Sequence, residues 1–363
     1  MISIIHYIPS ISKKSGGTTT YMQLLGESLG SKLNLHIVTH KSTDDVIILN
    51  CRIHYISSSF FGKMKTEWID LLKFINPDLV HVNCCWIPQI SFLQKWAQNK
   101  GFKVVLSTHG MMAPYILKRN YWTRKLPALL LYQKTAIRKA NWLHVTSENE
   151  YNDLIKLAIN DKISIVPNAI DIKTLKQKTE WNQIRKILFL SRLHEQKGID
   201  YLIDAIVKLN LNNIEVIIAG EGDEKYKEQI IKKINNFEIK DVFKFVGGVY
   251  GQEKSDLFCL ADIFVLPSHV ESFGIVVAEA LYTGLPVITT KGTPWQQLNS
   301  ENCGWWIELT VNNLAQTLEE AISLDSESLK TMGINGRQLV EKKYEISIVS
   351  NDMIKLYEQI LKK

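Results

Sequence analysis

Short apolar runs rich in β-branched residues alternate with stretches of helical period along the whole chain. In the first half they read ISIIHYI (2–8), LNLHIVTH (33–40), LVHVNC (79–84), KVVLSTH (103–109), WLHVTSE (142–148) and ISIVPN (163–168). In the second half they read KILFLSRL (186–193), IEVIIAG (214–220), VFKFVG (242–247), IFVLPS (263–268) and PVITT (286–290). Near-continuous apolar runs mark strands covered on both faces, as in a parallel sheet. Their alternation with helices predicts doubly wound α/β units. These runs are too many for one compact sheet, so two Rossmann-like domains are predicted. The polar, basic and turn-rich text around 168–183 reads as the junction, giving domains over 1–168 and 169–346. The last segment, ISIVSNDMIKLYEQILKK, is an amphipathic helix.

Composition changes this picture little. The 363 residues are 45% apolar and 22% charged with a net charge of +6, an ordinary globular balance that permits phosphate or anionic-membrane binding without demanding it. Cys51, Cys84, Cys85, Cys259 and Cys303 show neither metal-ligand spacing nor a disulfide framework, which favours a reducing, cytoplasmic setting. MISIIHYIPS is apolar but short and lacks a charged leader, so no signal peptide is expected. No apolar run approaches the ~18 residues of a membrane span.

In open α/β sheets ligands bind at the carboxyl ends of the strands, so candidate chemistry is sought in the loops that follow them. Gly16 and Gly17 precede a helix and let backbone amides approach an anion. The spacing is not that of a dinucleotide fingerprint. Arg192 and Lys197, in LSRLHEQKG, flank a turn that opens a helix and suit a diphosphate clamp. Gly220 ends a strand at the same sheet edge, and Gly247 and Gly248 precede another helix. In SHVESFGIVVAEALYTG, Glu271 stands in a loop, and the amides from Phe273 through Gly274 and Ile275 to Val276 open a helix. Glu279 lies inside that helix, and Gly284 caps it. A carboxylate in so apolar a helix needs a partner, whether a ligand hydroxyl or a neighbouring cation.

With these residues in view, the chain resembles a family-4 glycosyltransferase of the GT-B fold, such as those of bacterial surface polysaccharide biosynthesis. The resemblance rests on the two glutamates of ESFGIVVAEAL, separated by seven residues, and on SGG, VPNAID, SRLHEQKG and GLPVITT in the family's order. Ala169 stands where many relatives carry Gly. The resemblance implies retaining, metal-independent sugar transfer from a nucleotide-sugar, UDP- or GDP-linked, with no cofactor and no nucleic-acid partner. It implies that Arg192 and Lys197 bind the donor diphosphate, Glu279 the ribose, and Glu271 the donor sugar. It implies that Gly16 and Gly17 face the phosphates and that His109, in LSTHGMM, assists at the reacting centre. It further implies two domains facing across a cleft, with residues 347–363 packing back on the first. A sugar-nucleotide 2-epimerase and a non-catalytic sugar- or lipid-binding partner subunit share this fold and are the alternatives.

The acceptor is expected to be a glycan carried in one case on a polyprenyl diphosphate. Residues 115–140, YILKRNYWTRKLPALLLYQKTAIRKA, interleave Lys118, Arg119, Arg124, Lys125, Lys134, Arg138 and Lys139 with aromatic residues and leucines. Basic, aromatic-bearing segments of this kind lie in the headgroup plane of anionic membranes, which predicts peripheral binding at the inner face of the plasma membrane. The competing reading is a solvated helix whose leucines pack on the first sheet.

Overall fold

The computed structural model describes residues 1–58, 61–118, 120–183, 186–211, 213–237 and 239–362. They form two compact units, Met1–Ala169 with Ile346–Lys363, and Ile170–Glu345. The boundaries expected from the sequence were 168/169 and 346/347.

The first unit holds strands β1 (Ser3–Tyr7), β2 (Asn34–Thr39), β3 (Arg52–Tyr55), β4 (Leu79–Asn83), β5 (Lys103–Ser107), β6 (Trp142–Val145) and β7 (Ile163–Ile165). They make one parallel sheet in the order β3-β2-β1-β4-β5-β6-β7. Strand alternation sends successive side chains to opposite faces. Ile4, Leu79, Val105 and Trp142 join one core under the helices Gly17–Gly30 and Ile346–Lys362. Ile5, Val80, Val104 and Leu143 join the other, with Trp68 and Leu93 from the helices Phe61–Ile75 and Pro88–Asn99. The carboxyl-terminal helix is thus a component of the first unit. Ser28 Oγ donates to Ser350 Oγ at 2.9 Å, Lys32 Nζ to Asn351 Oδ1 at 2.8 Å, and Lys103 Nζ to the Ile360 carbonyl at 2.9 Å.

The second unit holds β8 (Lys186–Leu190), β9 (Glu215–Ala219), β10 (Phe243–Gly247), β11 (Ile263–Leu266), β12 (Val287–Thr290) and β13 (Gly304–Ile307). Its parallel sheet runs β10-β9-β8-β11-β12-β13. Both sheets are Rossmann-like, with their order reversing between β1 and β4 and between β8 and β11.

The sequence pattern missed β3 and β13. Arg52–Tyr55 is a half-exposed strand at a sheet edge whose alternating polar residues give no continuous apolar run. Gly304–Ile307 is also an edge strand, opened by Gly and filled by two tryptophans. Trp295 is fully buried, Trp305 Nε1 donates to Glu320, and Trp306 Nε1 donates to the Thr293 carbonyl. These three indoles are therefore engaged in packing within the second unit. All five cysteines are free thiols. Among the described residues no helix is long and apolar enough to cross a membrane.

Candidate active site

In the second unit the order reversal lies between β8 and β11, where an open α/β sheet parts to admit a ligand. The loops that leave these two strands are locked together. The His269 amide donates to the Gln196 carbonyl at 2.9 Å. Gly198 has φ +67°, and a Cβ there would lie 2.0 Å from the Pro267 carbonyl oxygen. Only glycine meets both conditions. Next to them, Gly220 at the end of β9 has φ +134°, and its Cβ would fall 2.0 Å from the Ser191 carbonyl oxygen. The loops therefore form one rigid rim from β9 to β12, closed by a Glu271 amide bond to the Gly292 carbonyl at 2.9 Å.

Lys197 follows β8 and Glu271 follows β11, and their side chains meet in a partly buried ion pair. Ser268 Oγ donates to the same Glu271 Oε1 at 3.0 Å. Arg192 is exposed on the rim between two anchored neighbours. The Ser191 amide donates to Ala219 and the Leu193 amide to Glu221. No carboxylate among the described residues pairs with Arg192.

The helix that follows runs Ile275–Thr283, with Gly274 before it at φ +80° and Gly284 after it at φ +103°. Its first amides lack intrahelical acceptors by construction. Phe273 is itself a core residue, packed 5.2 Å from Trp295 and 5.3 Å from Tyr344 between ring centroids. Ile275 and Val276 also pack on the core, so these three positions present backbone to the rim. Glu279 is 8% exposed. Its Oε1 accepts from Lys254 Nζ at 2.6 Å, while its Oε2 is buried with no hydrogen-bond partner among the described residues. Burial holds this carboxyl above its ordinary pKa, against the pull of Lys254. The neighbouring cation expected for the lone helical glutamate is thus Lys254, on one oxygen, and the other oxygen is left without a donor among the described residues.

In the first unit the corresponding reversal lies between β1 and β4. Gly16, at φ +70°, caps the exposed amino terminus of the helix Gly17–Gly30, and open space surrounds both glycines. His109 follows β5 at φ 49° and is 8% exposed. Its Nε2 lies 3.0 Å from Asn83 Oδ1, and Asn83 Nδ2 donates to the Tyr7 carbonyl at 2.9 Å. That second bond orients the amide, so His109 Nε2 is the donor and Nδ1 remains an acceptor. Burial, with His144 and His6 nearby, lowers its pKa to about 3. The loop is pinned by Glu150, buried and 4% exposed, which accepts from Thr108 Oγ1, the Gly110 amide and the Thr146 amide.

Behind His109 runs a buried polar chain. Asn83 Nδ2 is 3.5 Å from His6 Nδ1. His6 Nε2 and His81 Nδ1 each lie 2.7 Å from the Tyr357 hydroxyl. His81 Nε2 then meets Ser107 Oγ, which meets His144 Nδ1, both at 2.5 Å.

Residues 171–339 match the family described as "Glycosyl transferases group 1", and residues 15–174 match "Glycosyltransferase Family 4". This chain belongs to the group 1 glycosyltransferases. Among relatives of this transferase, an uncharacterized 41.2 kDa protein in the cps region of Klebsiella pneumoniae is 25% identical over 312 residues, 80% of this chain and 81% of that one. The structure of Anabaena Alr3699/HepE in complex with UDP and glucose superposes with a TM-score of 0.79 at 16% identity, over 99% of this chain and 100% of that one. That of WaaG, a glycosyltransferase involved in lipopolysaccharide biosynthesis, does so with a TM-score of 0.71 at 17% identity, over 97% and 98%. These likenesses establish the fold as GT-B.

The transferase's structure brings together Lys197, Glu271 and the helix-end amides in one unit, and His109 with the β4 end in the other. Four contributors escaped the sequence. Lys254 stands 25 residues from the glutamate it pairs with, and nothing in QEKSDLF marks it. Asn83 sits in an apolar strand, and Tyr357 reads as one more core position of an amphipathic helix. Glu150 had a signal. Ser147-x-x-Glu150 has the spacing of a capping box, with the Ser147 hydroxyl accepting from the Glu150 amide at 3.2 Å, while the Glu150 carboxylate reaches one residue further back, to the Thr146 amide at 2.8 Å. In the 115–140 segment Arg119 lies outside the described residues. Leu129 packs on the first sheet, whereas Trp122, Leu130 and Leu131 are exposed. Lys118 and Arg124 are exposed and Lys125 is half-buried.

Proposed function

We propose that this glycosyltransferase moves a sugar from a UDP- or GDP-sugar to a hydroxyl of a glycan acceptor, in surface polysaccharide or lipopolysaccharide assembly. The observation that carries the donor reading is the orphaned Glu279 Oε2. A buried carboxylate oxygen without a donor costs about 1–3 kcal/mol. A ribose hydroxyl satisfies it, while Lys254 holds the other oxygen and keeps the side chain aimed. Arg192, Lys197 and the open amides of Phe273 to Val276 then supply positive potential for a diphosphate.

The anomeric carbon–oxygen bond to the diphosphate breaks, the acceptor oxygen bonds to that carbon, and the acceptor's proton passes to the departing phosphate oxygen. Charge growing on the leaving group is met by Arg192 and Lys197, already in place. Glu271, fixed by Lys197 and Ser268, accepts hydrogen bonds from the donor sugar. His109 is neutral near pH 7, so it orients a sugar hydroxyl through Nδ1 and lends no proton. Glu271 and Glu279 share one loop–helix stretch, whereas hydrolytic carboxylate pairs flank the scissile bond. Attack from the leaving-group face retains the anomeric configuration. No metal is required, since no Asp-x-Asp pair stands in the sequence. The exposed Trp122, Leu130 and Leu131 beside Lys118 and Arg124 suit peripheral contact with an anionic membrane at its cytoplasmic face.

The test is a thermal-shift titration with UDP, GDP and ADP in EDTA, since a ligand of the folded state alone raises the melting temperature. It is followed by proton NMR of the glycoside formed from the donor that binds. Stabilisation by one nucleotide and a product of unchanged anomeric configuration are expected. An inverted product, or a new nucleotide-sugar formed without acceptor, would refute the reading.

A further inference from the structure

Trp86, in the loop after β4, and Ile116, Asn120, Arg124, Lys125, Ala128 and Tyr132 line a half-open cavity of about 600 Å³ in the first unit. Its size is that of a small-molecule site. Trp86 is held in a left-handed conformation, φ 71°, two residues after Cys84 at φ 78°. Bulky residues avoid this region unless their surroundings impose it. Here they do. The Trp86 amide donates to the buried Gln133 Oε1 at 2.8 Å, its indole Nε1 to the Met111 carbonyl at 2.9 Å, and its own carbonyl accepts from the Tyr132 hydroxyl at 2.8 Å. The indole is thereby a fixed wall, and the Lys125 ammonium sits over it, 4.0 Å from the ring centroid. Burial lowers the Lys125 pKa, with only the Cys85 thiol acting against it. No carboxylate among the described residues pairs with Lys125 or with Arg124.

A rigid aromatic wall joined to two cations lacking counter-charge has a definite chemical complement. Sugar rings pack their C–H faces on aromatic side chains, and phosphate oxygens take charge-assisted bonds from Arg and Lys. An aliphatic ligand would leave the cations unanswered, and a bare anion would leave most of the cavity unfilled.

We propose that this cavity binds a sugar phosphate, the phosphorylated end of the acceptor, with its ring among Trp86, Tyr132 and Ile116 and its phosphate on Arg124 and Lys125. The assignment rests on the glycosyl-transfer reading, and it names the acceptor class for that reaction.

Calorimetry on the full chain tests it in separate arms. UDP is titrated first, which scores the donor reading by itself. With UDP saturating, glucose 1-phosphate, glucose, inorganic phosphate and glucosyl diphosphate linked to a short prenyl chain are then titrated. Glucose 1-phosphate is expected to bind at least tenfold more tightly than either glucose or phosphate. The double variant Arg124→Ala, Lys125→Met should lose at least about tenfold in that affinity while its UDP affinity stays unchanged. Tighter binding of the prenyl-linked probe supports the assignment with a lipid-carried acceptor, and equal binding supports it with a soluble one. Absence of binding by both phosphorylated sugars to the UDP-saturated protein overturns the assignment, as does undiminished binding by the double variant.

Discussion

Acidification should open the first unit before the second. His6, His81, His109 and His144 are all buried, and burial is the largest cause holding each below the ordinary histidine pKa. For His6 and His109 the value falls to about 3 and for His144 to about 4, while His81 lies well below 6.5. In the unfolded chain each titrates near 6.5 and takes up its proton as pH drops, while the folded unit refuses it. Stability is therefore fully present above the unfolded value and is lost as pH falls from about 7 toward the folded values. Between pH 7 and pH 5 the linkage costs on the order of 2 kcal/mol for each of His6, His109 and His144, and His81 acts in the same sense. Glu150 works in the opposite sense, since its raised pKa makes the folded unit the better proton acceptor, but it is one group against four. Against a typical stability of about 5–15 kcal/mol, the loss brings the first unit close to its midpoint near pH 5. Hydrogen exchange of the full chain at pH 7, 6 and 5, corrected for intrinsic rates, reads this directly in peptides from β1, β4, β5 and β6. Peptides from β8, β9 and β11 serve as the reference, because the second unit carries only His194 and His269. Equal opening free energies at pH 7 and pH 5 in the first unit would mean that the imidazoles are not held neutral, and the reasoning would fail.

Other outcomes follow from single side chains. Arg192→Ala should keep the melting temperature of the free protein and lose at least about tenfold in nucleoside diphosphate affinity, with calorimetry as the check. Glu279→Gln should chiefly weaken nucleotide binding. Lys254→Met, which strands a buried carboxylate, should also lower stability by about 3 kcal/mol or more, measured by urea unfolding. His109→Ala should depress turnover far more than donor affinity, and Glu150→Gln should follow it in the same direction by loosening the 108–110 loop; a defect confined to donor affinity would contradict both. Wild-type protein should sediment with phosphatidylglycerol vesicles at low salt and be released at high salt, and Lys118→Glu with Arg124→Glu should abolish this; protein left in the supernatant at low salt would argue against membrane contact.

The two-sheet architecture was legible because a parallel strand buried on both faces writes itself as an uninterrupted apolar run. β3 was not, because its Arg and His alternate with Ile and Tyr on a half-exposed edge, and β13 was not, because Gly-Trp-Trp-Ile is short and holds a single β-branched residue. At the site, what could be read was whatever lies next to a strand end. Arg192, Lys197, Glu271 and His109 fall there by topology alone. What could not be read was set by tertiary pairing. Lys254 meets Glu279 across 25 positions, and Tyr357 reaches His6 across 351. The Ser147–Glu150 cap was within reach, but its carboxylate spans beyond its own helix to a neighbouring loop, which no local rule anticipates. The basic segment 115–140 was read as one amphipathic surface. In the structure it divides, with Leu129, Gln133 and Ile137 turned inward and Trp122, Leu130 and Leu131 outward.

The hydroxyl of Tyr357, lodged between two histidines of β1 and β4, also sets a timetable for biosynthesis. Ile170–Glu345 is an unbroken stretch and can close as soon as it leaves the ribosome. The sheet begun by Ser3–Tyr7 emerges earlier but must wait with one face only partly covered, by Gly17–Gly30, until Val349, Met353, Leu356 and Tyr357 arrive. The half translated first is completed last. A chain truncated before residue 346 therefore keeps every residue of the second unit but leaves an apolar, histidine-lined surface on the first, and that surface is where such a chain most needs a chaperone.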